Sequence, residues 1–255
     1  MALRCVYTDL DGTLLGADAS LFRDGEGEFT LLPARALEAC HRAGVEVVLK
    51  SGRRKAQVME DARLIGQGSY IYEVGSGVVV DGEEHLLCGS FAPRDGRIPH
   101  ELIEESGAPA LLQGAFDIEP HSPWHVDRFV SHLYRGSADV ANANALLGRE
   151  GHDDLRLVDN GAAPEGGHTY HLIPAAASKA GAVELHMRAR GYSAGECIAV
   201  GDSEEDLGVA PVVGRFFVVA NGPEASGPNV VRTESTHGEG FYEAVVQSLV
   251  EGVAG

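Results

Sequence analysis

Basic residues are scarce in this 255-residue sequence, which has 20 Lys and Arg against 38 Asp and Glu and a formal net charge of −18 at pH 7. Nucleic acids and anionic membrane surfaces bind basic protein faces, so this charge argues against either of them as a partner. A phosphorylated small molecule stays compatible with the composition, because it needs only a local positive site. The composition leaves the oligomeric state open.

Long hydrophobic runs and paired cysteines are also missing. No apolar run approaches the roughly 18 residues that a membrane span needs, and the first residues form no signal-like apolar stretch, so we expect a cytoplasmic protein. The cysteines lie far apart and form no CxxC motif. This spacing predicts four buried free thiols rather than disulfides or metal ligands: Cys5, Cys40, Cys88 and Cys197.

What is present is an alternation of short apolar segments and helical patterns at both ends of the chain. Strands are predicted at 4–8, 45–49, 69–74, 197–200 and 215–220. Helices are predicted at 33–43 and 55–64, from Lys179 with Ser178 as N-cap, and at 241–250. This order predicts an α/β fold with a Rossmann-like, doubly wound parallel sheet.

The middle of the chain differs from both ends. It holds the single Trp and strand-like segments of alternating character at 128–135 and 168–173. A further strand is predicted at 155–160 and a helical segment at 138–147. We expect a catalytic core formed by residues 1–82 and 174–255. An inserted α+β cap domain is expected at residues 83–173, with its boundaries in turn-rich or small-residue stretches.

Polar residues follow several predicted strands directly, where a doubly wound sheet binds its ligands. Two of them follow the first strand, one follows the second, two follow the strand at 197–200, and a lysine opens the helix before that strand. In chain order they are Asp9, Asp11, Ser51, Lys179, Asp202 and Asp206. Strand ends of one sheet meet at one edge, so we expect these side chains to lie together.

This set of residue types suits phosphoryl transfer assisted by a divalent cation. Mg²⁺ takes oxygen ligands, which Asp9 and Asp202 can supply, and it would offset the repulsion between Asp9 and Asp11. Lys179 and Ser51 can hold the phosphate oxygens that are not transferred. Asp9 can attack phosphorus and form an aspartyl-phosphate, while Asp11 can protonate the leaving oxygen and then deprotonate water.

Each residue also has a plainer structural interpretation. The Asp-x-Asp-Gly sequence can be a simple turn, Asp202 with Glu205 fits a helix capping box, and Lys179 can be a solvated lysine in a first helical turn. What favours chemistry is that all the sites fall at strand ends or helix starts of one predicted sheet.

Four stretches of the chain resemble the motifs of the haloacid dehalogenase superfamily: "DLDGT" from Asp9, "SGR" from Ser51, "SKAGAV" around Lys179, and "GDSEED" from Gly201. The position of the insert resembles subclass IIB, whose members carry a type-two cap. Within it the chain is loosely similar to mannosyl-3-phosphoglycerate phosphatase.

The resemblance implies a role for each matching residue. Asp9 would be the nucleophile and a metal ligand, Asp11 the general acid/base that gives the metal its backbone carbonyl, and Asp202 the second carboxylate ligand. Ser51, Gly52 and Lys179 would bind the phosphoryl group. Asp206 would support the metal, and Asn221 would lie near the substrate. The stretch "EVGSG" at 73–77 departs from the Glu-Asn-Gly of many relatives, which puts the substrate in doubt rather than the chemistry.

We therefore predict a Mg²⁺-dependent phosphatase of a small phosphorylated metabolite, either a sugar phosphate or a glycosyl phosphoglycerate, that acts through an aspartyl-phosphate. The alternatives are a phosphomutase or phosphotransferase on a sugar phosphate, and a catalytically silent module that binds sugar phosphates. Five cap residues could reach a sugar or a second anionic group, although each alone is as compatible with surface or packing roles: Arg94, Arg97, Trp124, His125 and Arg128.

Overall fold

A computed structural model of the chain describes residues 2–162 and 166–252 and contains two β-sheets. The larger sheet has eight strands in the order β12-β11-β10-β1-β2-β3-β4-β5. Their bounds are β1 Cys5–Thr8, β2 Glu46–Lys50, β3 Tyr70–Tyr72, β4 Gly77–Val80, β5 Glu83–Leu86, β10 Cys197–Gly201, β11 Arg215–Val218 and β12 Val230–Arg232. The strands from β12 to β3 pair in parallel, which confirms the predicted doubly wound α/β fold.

Helices cover both faces of the large sheet: α1 Leu32–Ala43, α2 Lys55–Leu64, α6 Lys179–Arg190, α7 Glu204–Leu207 and α8 His237–Glu251. Successive residues of β1 point to opposite faces, so Val6 lies in the cluster with Leu37 and Phe241, whereas Tyr7 lies in the cluster with Val183. A strand buried on both faces must be apolar throughout, which is why β1 reads as a short continuous apolar run.

The smaller sheet is antiparallel, with the order β6-β7-β9-β8: β6 Asp117–Pro120, β7 His132–Ser137, β8 Leu155–Ala162 and β9 His168–Pro174. Three helices belong to the same part of the chain: α3 Pro99–Glu105, α4 Ala108–Ala115 and α5 Val140–Arg149. Tyr170 and Leu172 of β9 pack with these helices, and Ile173 turns to the other face and packs against Val74 of the core. The predicted α+β insert therefore has one face directed at the large sheet.

Several local predictions are confirmed. Ser178 caps α6 by accepting a hydrogen bond from the Gly181 N–H at 3.0 Å, and α1 ends at Gly44 in the left-handed conformation that glycine favours. The four cysteines are free and buried. No helix in residues 2–162 and 166–252 is both long enough and apolar enough to cross a membrane.

Other bounds differ from the prediction. The strand expected from Arg128 begins at His132, because residues 129–131 donate their backbone N–H groups to the carboxylate of Glu73. The residues from 83 to 86, placed in the cap by the sequence, form β5 and pair with β4 of the large sheet. The division into a core of 1–82 and 174–255 and a cap of 83–173 stays a prediction.

Candidate active site

The first two strands deliver their terminal residues to one edge of the large sheet. The Asp9 N–H donates to the Val200 carbonyl at 3.1 Å, and the Ser51 N–H donates to the Ile71 carbonyl at 3.0 Å. Each residue thus continues the pairing of its strand for one step and then turns into a loop. Asp9 and Ser51 are both buried at the carboxyl end of the parallel strands, where the sequence predicted them.

A chain of buried charges runs beneath this edge. The Lys179 Nζ donates to Asp9 Oδ1 at 3.0 Å and to Asp206 Oδ1 at 2.8 Å, and the Lys50 Nζ donates to the same Asp206 oxygen. Burial disfavours the charge of Lys179, but Asp206 and Asp9 outweigh that effect and hold its pKa above the usual lysine value. Lys179 is therefore a permanent cation pointed at Asp9.

The three carboxylates of Asp9, Asp202 and Asp206 differ in their electrostatic environment. Burial raises the pKa of Asp9 to about 7, against the opposing attraction of Lys179. Burial, assisted by the charge of Asp206, raises the pKa of Asp202 to about 6. Asp206 is also fully buried, but Lys179 and Lys50 overcome the desolvation and lower its pKa. Asp9 and Asp202 thus carry negative charge that the surrounding protein stabilises poorly.

The loop after Asp9 is built around Asp202. The Thr13 hydroxyl donates to Asp202 Oδ1 at 2.7 Å. Gly12 has φ of +81°, and a Cβ atom there would lie 2.2 Å from Asp202 Oδ2, so only glycine fits. The Asn221 Nδ2 donates to the Gly12 carbonyl at 2.8 Å, which gives Asn221 a contact with this loop.

The carboxylates of Asp9, Asp202 and Asp206 fit a divalent cation by their chemistry and spacing, since one oxygen atom of each lies within 4.8 Å of the others. Asp206 differs from the other two, because its Oδ1 accepts from two lysines and its Oδ2 from the Ser203 hydroxyl. Asp9 and Asp202 are therefore the carboxylates best able to hold the ion.

Asp11 lies apart from the buried carboxylates and is about half exposed. The Arg53 guanidinium donates two hydrogen bonds to it, Nε to Oδ2 at 2.8 Å and Nη2 to Oδ1 at 2.6 Å. A third, from Nη1, goes to Asp61 Oδ2 at 3.0 Å. Both oxygens of Asp11 accept from a cation in this fork, so the carboxyl group must leave it to exchange a proton with a substrate.

The insert sits close over the phosphate-binding residues predicted from sequence. A Cβ atom on Gly52 would lie 2.8 Å from Nε2 of His171 in β9 and 3.3 Å from the Asn160 side chain in β8. The Arg128 Nη1 donates to the Gly52 carbonyl at 3.0 Å. Ser51, beside them, is nearly inaccessible to solvent. The close approach of the insert explains why glycine follows Ser51.

The contacts within residues 2–162 and 166–252 do not join the five predicted cap residues into one group, although Arg94 and Arg97 exchange backbone hydrogen bonds with each other. Arg128 contacts the core, as described, and its Nε donates to the Trp124 carbonyl at 3.1 Å. Arg94 donates to the Ser90 carbonyl at 2.6 Å, and Arg97 pairs with Glu105 on an exposed surface. Of this group, Arg128 therefore has the strongest structural connection with the site.

Comparisons with known proteins agree with this geometry. A phosphoglycolate phosphatase from Pyrobaculum neutrophilum is 30% identical over 249 residues, which is 96% of this chain and 95% of that protein. The sucrose-phosphatase of Synechocystis sp., solved with sucrose and phosphate, superposes with a TM-score of 0.69 at 17% identity over 97% of this chain and 98% of that one. A haloacid dehalogenase-like hydrolase from Bacteroides thetaiotaomicron gives 0.67 at 16% identity over 96% and 99%.

The chain belongs to the haloacid dehalogenase superfamily. It is a phosphoric monoester hydrolase with the features of subclass IIB. No protein-family model matches the chain. The curated relatives are named phosphoglycolate phosphatase, so the looser likeness to mannosyl-3-phosphoglycerate phosphatase gains no support from them.

Four residues around this superfamily site received no role from the sequence: Lys50, Arg53, Glu73 and His171. Lys50 did carry a signal, because a lysine ending the buried run "VVLK" needs a buried partner. Arg53 and Glu73 lie in the quoted stretches "SGR" and "EVGSG", but the contacts of these two residues and of His171 join distant parts of the chain, so the local sequence did not reveal them.

Proposed function

We propose that this phosphatase is Mg²⁺-dependent and acts through an aspartyl-phosphate on Asp9. The observation that carries the proposal is the direct contact of a buried lysine, Lys179, with a buried carboxylate, Asp9, at the end of a central strand. Lys179 engages Oδ1 and thereby fixes the carboxylate, which leaves Oδ2 as the attacking oxygen.

The proposed reaction has two steps. The Asp9 oxygen forms a bond to phosphorus while the phosphorus–oxygen ester bond breaks, and Asp11 gives its proton to the leaving oxygen. Asp11 then takes a proton from water, the water oxygen attacks phosphorus, and the bond to Asp9 breaks to release inorganic phosphate. The lysine ammonium and the Ser51 hydroxyl stabilise the phosphate oxygens in both steps.

A bound Mg²⁺ would be held by Asp9, by Asp202 and, as the family resemblance implies, by the Asp11 carbonyl, and it would supply positive charge to the phosphoryl oxygens. The protein prepares this position by placing a buried carboxylate, Asp9, next to a half-buried one, Asp202. Thr13 orients Asp202, and Asn221 contacts the loop that carries Asp11 and Gly12.

For the substrate we propose a small phosphorylated carboxylic acid of the phosphoglycolate kind, ahead of the sugar phosphates and glycosyl phosphoglycerates that the sequence suggested. Two features support this choice. The relatives carry that name, and His171 approaches Gly52 closely, which restricts the size of the group beyond the phosphate. The cations Arg53 and Arg128 flank the same place and can attract a second anionic group. We propose that the enzyme works in the cytoplasm, as its composition suggested.

The test is phosphate release from 2-phosphoglycolate and a panel of sugar phosphates, with Mg²⁺ and with EDTA. We expect release that needs Mg²⁺, is fastest with the phosphorylated acid, and disappears in Asp9→Asn. Asp117→Asn, which changes an exposed carboxylate on β6, is the matched control and should behave like the parent protein. Activity in Asp9→Asn would refute the aspartyl-phosphate, and an isomeric phosphate ester without free phosphate would identify a mutase.

A further inference from the structure

The chain contains three lysines, and two of them, Lys50 and Lys179, are fully buried beside one carboxylate, Asp206. Lys179 has the phosphate-binding position discussed above. Lys50 is the last residue of β2, directly before Ser51, and its ammonium group donates to Asp206 Oδ1. An unpaired ammonium at this depth would be unfavourable, so the contact with Asp206 stabilises the buried charge of Lys50.

The oxygen atoms of Asp206 are fully engaged by protein donors. Oδ1 accepts from both lysines, and Oδ2 accepts from the hydroxyl of Ser203. Asp202, four residues earlier, accepts from the Thr13 hydroxyl and forms no ion pair with a lysine or arginine within residues 2–162 and 166–252. Two carboxylates four residues apart thus have opposite surroundings, one engaged by two lysines and a hydroxyl and the other open to an external cation.

We infer that Lys50 is a positioning residue that neutralises Asp206, so that Lys179 can direct its charge to Asp9 and the phosphoryl group. With Lys50 present, the carboxylates of Asp9, Asp202 and Asp206 and the two lysines have a formal net charge of −1. Without it the same groups have −2, and Asp206 competes with Asp9 for Lys179. The inference rests on the proposed function, because it assigns phosphate and metal to this site.

The inference predicts opposite effects on two ligands. Removing the positive charge should strengthen cation binding and weaken phosphate binding, because both ligands feel the same change in local potential. A residue that only supports packing would weaken both when it is replaced. The sign of the two changes therefore separates a positioning role from a structural one.

The first variant is Lys50→Met, which keeps the length of the side chain and removes its charge. We expect Mn²⁺ to bind several-fold more tightly in titration calorimetry, and inorganic phosphate to bind on the order of tenfold more weakly in the presence of saturating metal. Lys55→Met is the control, since Lys55 pairs with Glu84 on the surface and should leave both affinities unchanged. Both measurements use binding alone, so they remain informative if the enzyme hydrolyses a different substrate.

Two further variants keep the inference testable if Lys50→Met does not fold. Asp206→Asn adds one positive charge to the site, so it should weaken Mn²⁺ binding without weakening phosphate binding. The double variant Lys50→Met/Asp206→Asn restores the net charge of −1 and should return both affinities towards those of the parent. Loss of both affinities in each single variant, or no change in either affinity, would overturn the inference. Failure of the double variant to recover would do the same.

Discussion

Glu73 should contribute strongly to stability, because its carboxylate joins the two sheets of the molecule. It is completely buried and accepts hydrogen bonds from three consecutive backbone N–H groups, those of Phe129 at 2.8 Å, Val130 at 2.9 Å and Ser131 at 2.6 Å. A fourth bond comes from the Ser131 hydroxyl at 2.9 Å. Arg128, which precedes Phe129 in the sequence, donates to Ser131 Oγ and to the Gly52 carbonyl. The same segment is thereby attached to the core a second time.

The magnitude follows from the number and kind of these bonds. Hydrogen bonds to a charged group contribute about 1.5–3 kcal/mol each, and a buried donor left without a partner costs about 1–3 kcal/mol. Glu73→Ala removes the acceptor for all four donors, so we expect a loss of about 4 kcal/mol or more in the free energy of unfolding. Oε2 accepts three of the bonds and Oε1 accepts one, so a glutamine can keep three by placing its amide oxygen at the Oε2 position. Glu73→Gln then sets an NH₂ group against the Phe129 N–H and should lose about 2 kcal/mol.

The assay is urea unfolding of the parent, Glu73→Gln and Glu73→Ala, with hydrogen exchange at the amides of residues 129–131. Glu83→Gln is the matched control, because that side chain is mostly exposed and should change stability by less than about 0.5 kcal/mol. Exchange at the three amides should accelerate in the order parent, Gln, Ala. A Glu73→Ala protein as stable as the parent, with unchanged exchange at these amides, would refute the reasoning.

Three further predictions concern the site and the opposite end of the sheet. Gly12→Ala should lower Mn²⁺ affinity at least about tenfold by calorimetry, because the new Cβ would overlap Asp202; unchanged affinity would contradict the close contact. Asp11→Asn should keep Mn²⁺ binding but lower phosphate release by roughly 10²–10⁴-fold, and loss of metal binding would show that its side chain is a ligand. Burial alone would raise the pKa of Glu46, but the neighbouring side chains of His186, Tyr192 and Ser69 lower it to about 2. A lowered pKa stabilises the folded state fully above the ordinary value near 4.5 and progressively less towards pH 2. The stability advantage of the parent over Glu46→Gln should therefore shrink by about 3 kcal/mol between pH 6 and pH 2 in urea unfolding, and a constant difference would exclude this linkage.

Local chemistry explains which parts of the fold could be predicted. The helix from Lys55 to Leu64 and the Ser178 cap of α6 depend on neighbours within one turn, and the structure has them where the sequence indicated. The helix predicted from Phe241 begins earlier, at His237. The sequence did not indicate this first turn, because "HGEG" has weak helical propensity and the turn is stabilised by packing of Gly238 and Gly240 against the core. The antiparallel strands β4 and β5 were not predicted. In β5, "EEH" is partly exposed and carries no apolar alternation, whereas "GVVV" in β4 is an apolar run that was left unassigned.

The candidate site also contains some contacts that the sequence could predict and others that it could not. Strand-end position was enough to predict that Asp9 and Lys179 meet and that Ser51 ends a strand at the same edge, because a parallel sheet directs its carboxyl ends to one edge. Strand-end position could not reveal that Arg53 forms an ion pair with Asp11, since 42 residues separate them and the pairing depends on how the loop after β2 turns. Nor could it show the approach of His171 to Gly52, which depends on the docking of one sheet over the other.

The way in which cations are distributed explains how closely spaced carboxylates coexist in this site. Asp9 is paired with Lys179, Asp11 with Arg53, and Asp206 with Lys50 as well as Lys179, and none of these cations is adjacent in sequence to its partner. Asp202 has only a hydroxyl donor among the contacts described above, although burial and Asp206 raise its pKa. A site that supplied a lysine or arginine to every carboxylate would repel a divalent cation. Asp202, a half-buried carboxylate next to the nucleophile, has no such partner, and this creates a position where an external cation is favourable. The position is a property of the folded charge pattern rather than of any single motif.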